Sequence, residues 1–161
     1  MKKQFIIDLI VTMLISFMFL LALPALAEDQ PADNMDILRA KLQADKKLVI
    51  AESMQLTDAQ SKVFWPLYED YQKDLQALME RTVQLIKNYA QNYETMSDET
   101  AEKLLSEMLA IDKDHLKLKE NFLPKFHKVL PAKLVARYYQ IENKIDAVNT
   151  FGLAAQIPLV K

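Results

Sequence analysis

Residues 56–89 read LTDAQSKVFWPLYEDYQKDLQALMERTVQLIKNY. Within them Phe64, Tyr68, Tyr71, Leu75, Leu78, Thr82, Leu85 and Tyr89 recur at alternating steps of four and three, and only Thr82 interrupts the apolar seam. A repeat of 3.5 residues predicts an α-helix lying alongside a partner helix at a shallow angle. Its start is marked by Leu56-Thr57-x-x-Gln60. A Thr hydroxyl there can accept from the Gln60 N–H while the Gln60 side chain returns to the Thr57 N–H, which is a capping box. Asp58 in the first turn suits the helix dipole. Pro66 removes one backbone donor and is expected to kink the first third of the helix.

The flanking segments repeat this pattern. A first helix is expected from Asp33 or Asn34 to about Ser53, with Leu38, Leu42 and Val49 on one side. After a polar break near Asn92–Ser97, Ser97 is placed to cap a third helix whose seam is Leu104, Met108, Ile111, His115, Leu118 and Phe122. A second row, Leu105, Leu109, Leu116 and Leu123, widens that apolar face, and a face so broad touches two neighbours, or one neighbour and a ligand. Pro124 is expected to kink or end the helix. Leu130-Pro131 then opens a fourth, with Pro131 at its first position and Leu134, Tyr138, Ile141, Ile145 and Val148 as seam. Gly152 is the expected C-cap. Gly occurs once and Cys not at all, while Leu, Ala, Lys, Glu, Gln and Met dominate. Good helix formers without turn glycines predict an all-α fold of four helices in long kinked antiparallel hairpins. A 35-residue helix is about 50 Å long. Rods of that length leave an elongated side uncovered, which favours a homodimer.

The N-terminus has a different character. Met1-Lys2-Lys3 is basic, Phe5–Leu23 is almost wholly apolar, and Pro24 precedes Ala25-Leu26-Ala27. This is the layout of a secretory signal peptide, with cleavage expected before Glu28. A retained anchor is the alternative, since about 19 apolar residues approach the roughly 20 that span a bilayer. Asp8 inside the run and the acidic Glu28-Asp29 after it favour cleavage, and no stable membrane insertion is then expected. The expected organisation is a leader over 1–27, a flexible lead over 28–33, a helical domain over 34–152 and an apolar tail over 153–161. An exported chain without Cys gains nothing from disulfides and must rely on packing.

Charge is segregated. Residues 28–112 carry 9 basic and 17 acidic side chains, a balance of −8, whereas 113–144 carry 8 and 3, a balance of +5. Solvated helix faces are one account; an electropositive surface for acidic partners, or antiparallel pairing of unlike halves in a dimer, is the other. No nucleic-acid motif is visible.

Catalytic signatures are also missing. The chain has no Cys nucleophile, glycine-rich phosphate loop, G-x-S-x-G elbow or H-E-x-x-H helix, so neither an enzyme nor a cofactor is expected. Its two histidines, His115 and His127, are too far apart along one helix to share an ion. Asp112 and His115 share a helix face, but His115 is better read as a polar seam residue that fixes register, and no metal site is expected.

Candidate binding residues lie in the aromatic run. Phe64, Trp65, Tyr68 and Tyr71 are echoed by Tyr138 and Tyr139, and adjacent residues on a helix point about 100° apart. Most of these rings are expected in the core, but Phe64 and Trp65, or Tyr138 and Tyr139, cannot share one seam, so some aromatic surface should face outward or into a groove. Lys117, Lys125, Lys128 and Arg137 supply positive charge. Together these side chains suit weak contact with partly unfolded chains, drawn in by charge and held by adaptable apolar contact.

At Leu56-Thr57-x-x-Gln60 the chain resembles the LTxxQ-motif family of periplasmic proteins, the Spy and CpxP group. Export, scarce Gly and Cys, about 130 mature residues, four helices, and the motif opening a long second helix all agree with that resemblance. A second copy of the motif would fall at Leu130-Pro131-Ala132-Lys133-Leu134, where Leu is kept and Thr and Gln are replaced. The resemblance implies a cradle-shaped antiparallel dimer in the periplasm. It also implies an ATP-independent chaperone or envelope-stress adaptor, whose partners are unfolded or partly folded envelope proteins or the periplasmic domain of a sensor kinase. A metal-responsive regulator and a structural coiled-coil spacer are the alternatives.

Overall fold

The computed structural model describes residues 31–160, with side chains from residue 43 onward. The expected leader, and the part of the lead before residue 31, lie outside the described residues. The described chain is all-helical: α1 (Pro31–Met54), α2 (Asp58–Asn92), a single 3₁₀ turn (Tyr93–Thr95), α3 (Asp98–Val129) and α4 (Ala132–Ala154). No described helix is long and apolar enough to cross a membrane.

The described part of α1 begins at Pro31, so the expected start at Asp33 or Asn34 already lies within helix. Each later boundary has a local cause. α1 ends where Gln55 turns into the left-handed region at φ 48°. A side chain pays roughly 1–2 kcal/mol for that conformation. At α2 the Gln60 N–H donates to Thr57 Oγ1 at 3.3 Å and the Thr57 N–H donates to Gln60 Oε1 at 3.0 Å. Ser97 caps α3 by accepting from the Thr100 N–H at 3.2 Å. The helices run on through Pro66 and Pro124, so Pro124 does not end α3.

Two expected caps lie elsewhere. Pro131 sits at the N-cap of α4 rather than inside it, and its carbonyl accepts from the Leu134 and Val135 N–H groups at 2.9 and 3.1 Å. Gly152 lies buried within α4, which closes instead at Ala155, whose N–H reaches the Phe151 carbonyl. Leu153 packs against Ile86 and Ala90, and this apolar contact carries the helix past the glycine.

α2 and α3 run in opposite directions, for Tyr71 meets Phe122 and Phe126 while Arg81 reaches back to Asp114 and Glu107. All four helices meet in one core at the near end. It holds Ile50 and Met54 of α1; Phe64, Tyr68, Tyr71 and Leu75 of α2; Leu118, Phe122 and Phe126 of α3; and Val135 and Tyr138 of α4. Each such side chain, taken fully from water, stabilises by roughly 1.5–3 kcal/mol. The far end is thinner: among the described residues a small second cluster of Ile86 and Ala90 has the half-buried Leu153 and Ile157 packed against it. Burial in α2 thereby drifts from the Leu85 row to the Ile86 row, as a straight 3.6-residue helix must drift from a 3.5 repeat. In α4 the buried row is Val135, Tyr138 and Glu142, and Val148 is left exposed.

Candidate binding surfaces

The aromatic residues singled out from sequence come together, but inside the molecule. Phe64, Tyr68, Tyr71 and Tyr138 are buried. The Phe64 ring lies 5.3 Å from Tyr138 and 5.9 Å from Phe126, and Tyr138 lies 4.8 Å from Phe126. Edge-on and tilted contacts at these distances suit the ring quadrupoles. Trp65 and Tyr139, forced off the seam by helix geometry, fold back on it half-buried. Trp65 stands edge-on to Phe64 and Tyr68, with the Lys47 ammonium 5.2 Å from its ring. The Tyr139 hydroxyl donates to the Lys119 carbonyl at 2.9 Å. Burial, then the nearby Glu142 charge, pushes the Tyr139 phenol up to about 12, and the same two causes raise Tyr68, Tyr71 and Tyr138 further. In this conformation Phe64, Tyr68, Tyr71 and Tyr138 belong to the core, while Trp65 and Tyr139 keep part of their rings in water.

The basic candidates are exposed but divided. Lys125 folds over the Phe122 ring at 4.0 Å. At 100° per residue, Lys117 and Lys128 lie about 80–100° around α3 from Leu109, and Lys125 lies about 160° around. Arg137 stands exposed on α4. Lys117, Lys125 and Lys128 therefore share one side of α3 within an arc of about 80°, and Arg137 lies on a different helix.

An exposed leucine row runs along α3, with the exposed Asp112 standing between Leu109 and Leu116. Leu105, Leu109, Leu116 and Leu123 are 53, 56, 58 and 40% exposed, because α2 and α4 cover only the Ile111–Leu118–Phe122 side. Met108, on the expected seam, is also exposed. At its N-terminal end the row runs into an apolar groove of about 460 Å³ between the far ends of α2 and α3 and the C-terminal tail. The tail is pinned there by the Tyr89 hydroxyl, which donates to the Pro158 carbonyl at 2.6 Å.

Sequence reasoning missed one polar site. Glu142 is only 1% exposed, and its carboxylate accepts from Lys46 Nζ of α1 at 2.8 Å and from Gln72 Nε2 of α2 at 3.0 Å. Nothing in the α4 pattern marks it, for it sits one turn after Tyr138 beside the apolar Ile141. His115 is half-buried, and desolvation lowers its pKa below 6.5. Among the described residues no three His, Cys, Asp or Glu side chains gather closely enough to hold a metal ion. Compared with known protein families, with curated proteins and with solved structures, the chain matches none of them.

Proposed function

We propose that this chain is an exported binding protein of the LTxxQ-motif type, in the Spy and CpxP manner, which holds partly unfolded envelope proteins or a sensor domain without ATP or any cofactor. On this reading it works in the periplasm after removal of residues 1–27, and it is not an enzyme. The observation that carries the proposal is the exposed row Leu105, Leu109, Leu116 and Leu123 on α3. From the first of these leucines to the last is about 27 Å along the helix axis. A monomer rarely leaves so ordered an apolar row in water unless another chain covers it.

Charge along the same helix supports self-pairing. Flanking the row, Asp98, Glu99, Glu102 and Asp112 outweigh Lys103 in the first half, and Lys113, Lys117 and Lys128 outweigh Glu120 in the second, while Glu107 and Asp114 are taken by Arg81 of α2 and Lys125 lies on the far side. A second copy laid antiparallel sets acidic half against basic half, giving the kinked-hairpin cradle dimer that the resemblance implies. The test is suppression of aggregation of a chemically denatured client by the purified mature protein in nucleotide-free buffer. Clear suppression at a few-fold molar excess, lost in Leu109→Gln/Leu116→Gln, supports the reading. No suppression at any ratio removes it.

A further inference from the structure

The aromatic core has one weak wall. Above Ile50 and Met54, the described contacts of α1 with α2 and α4 are polar. Gln43 Nε2 donates to Gln76 Oε1 at 2.8 Å, Lys47 pairs with Glu69 at 2.7 Å, and Lys46 reaches Gln72 and Glu142. The Lys47–Glu69 pair is solvent-exposed, and such pairs hold little. A cleft of about 350 Å³ opens between these helices, with Tyr68 at its floor and Gln43 and Gln76 at its rim. The segment ends at Gln55, whose positive φ makes a strained joint. Behind α1 lie Tyr68 and Tyr138 and the buried Glu142 carboxylate, whose ion-pair partner, Lys46, belongs to α1.

We infer that α1 is a displaceable cover, and that the surface it vacates takes a helical segment of another polypeptide bearing a basic residue one turn before two apolar anchors. The pattern is that of α1 itself, in which Lys46, Ile50 and Met54 stand four residues apart and share one face. The pattern follows from the chemistry of the site. Glu142 cannot stay charged and dry without a cation, so an occupant lacking Lys or Arg at that place leaves a buried carboxylate unpaired. Ile50 and Met54 are fully buried in the aromatic cluster, so the anchors must be apolar and lie on the next two turns. The inference rests on the reading that the protein binds other chains, and it names a second site distinct from the α3 leucine row.

The probe is a fluorescein-labelled peptide with the sequence of residues 43–56. The mature chain has no Cys, so Gln43→Cys/Gln76→Cys bridged by a short bis-maleimide locks α1 in place. The peptide should bind the unbridged protein, bind Lys46→Ala/Ile50→Ala about fivefold more tightly because the built-in competitor is weakened, and fail to bind the bridged form. The same peptide carrying Lys46→Glu should bind about tenfold more weakly. With a version of the peptide that carries Lys47→Ala, Trp65, the only tryptophan, should change its emission on binding, since the Lys47 ammonium leaves its ring and none replaces it. Equal binding to bridged and unbridged protein, or binding with Trp65 silent, overturns the inference. The bridged comparison needs no destabilising substitution. Leu109→Gln/Leu116→Gln separates the two sites: client holding lost with peptide binding intact leaves the cover standing, whereas peptide binding that falls with it places the peptide on α3 and overturns the cover. If no protein holds clients yet the peptide binds as described, the functional reading fails and the cover stands.

Discussion

Lys46 of α1 and Glu142 of α4, 96 residues apart in the chain, form a 2.8 Å ion pair whose carboxylate is 1% exposed. Gln72 completes the site from α2, so three helices are tied at one point. Removing the cation alone should cost more than removing the pair. Lys46→Met is expected to destabilise by roughly 1–3 kcal/mol. Lys46→Met/Glu142→Leu should recover most of that, because no buried charge is then left unpaired. Urea unfolding of the two single variants and the double variant measures the coupling.

The start of α2 rests on a reciprocal cap. Thr57→Ala leaves the Gln60 N–H without its acceptor and should cost about 1 kcal/mol, with Thr57→Asn close to wild type. Thermal unfolding followed by circular dichroism distinguishes the two.

Two phenylalanines lie at opposite extremes. Phe126 is fully buried among Phe64, Tyr71, Phe122 and Tyr138, whereas Phe151 is 79% exposed. Phe126→Ala is expected to cost about 3–5 kcal/mol through lost transfer energy and a cavity. Phe151→Ala should stay within about 0.5 kcal/mol of wild type. Chemical denaturation midpoints give both values.

Self-pairing through α3 has a salt signature. Sedimentation equilibrium of the protein prepared without residues 1–27 should give a dimer at low ionic strength that weakens as salt screens the acidic and basic halves. Leu109→Gln/Leu116→Gln should be monomeric at both ionic strengths, with monomer stability little changed because both leucines are more than half exposed.

His115 sets a pH dependence. Desolvation lowers its pKa, with Lys119 and Arg81 acting in the same sense and Asp146 and Asp112 opposing. The unfolded chain therefore takes its proton first as pH falls. Stability is fully present above the ordinary value of 6.5 and is lost on acidification through it, until the folded state also protonates. His115→Leu should flatten the melting temperature between pH 7.5 and 5.5 relative to wild type. An equal slope in both proteins would assign the effect to other groups.

Most of the fold was legible in the chain because its signals are local. The Thr57–Gln60 box and the Ser97 cap are decided by side chains within four residues of the backbone groups they satisfy. The seams through Phe64, Tyr68 and Tyr71, and through Ile111, Leu118 and Phe122, follow from helical period alone. The aromatic run was legible as a cluster and, for most of its residues, as core. Their period placed them on one face, but which faces met was decided by the packing of four helices around Phe126 and Tyr138. Gly152 misled for a related reason. A lone glycine marks a helix end only when no tertiary contact favours continuing, and Leu153 against Ile86 and Ala90 supplies such a contact.

From the amino-acid order alone came the helical class, the helix count, the caps at Thr57 and Ser97, and two apolar rows on α3. Which row would be covered was left to the tertiary structure, because α2 and α4 reach only the Ile111 side and leave the Leu109 row in water. The burial of Glu142 was decided there too. A carboxylate can be taken from water only where a cation and an amide from other helices arrive together, and Lys46 and Gln72 lie 96 and 70 residues away from it in the chain.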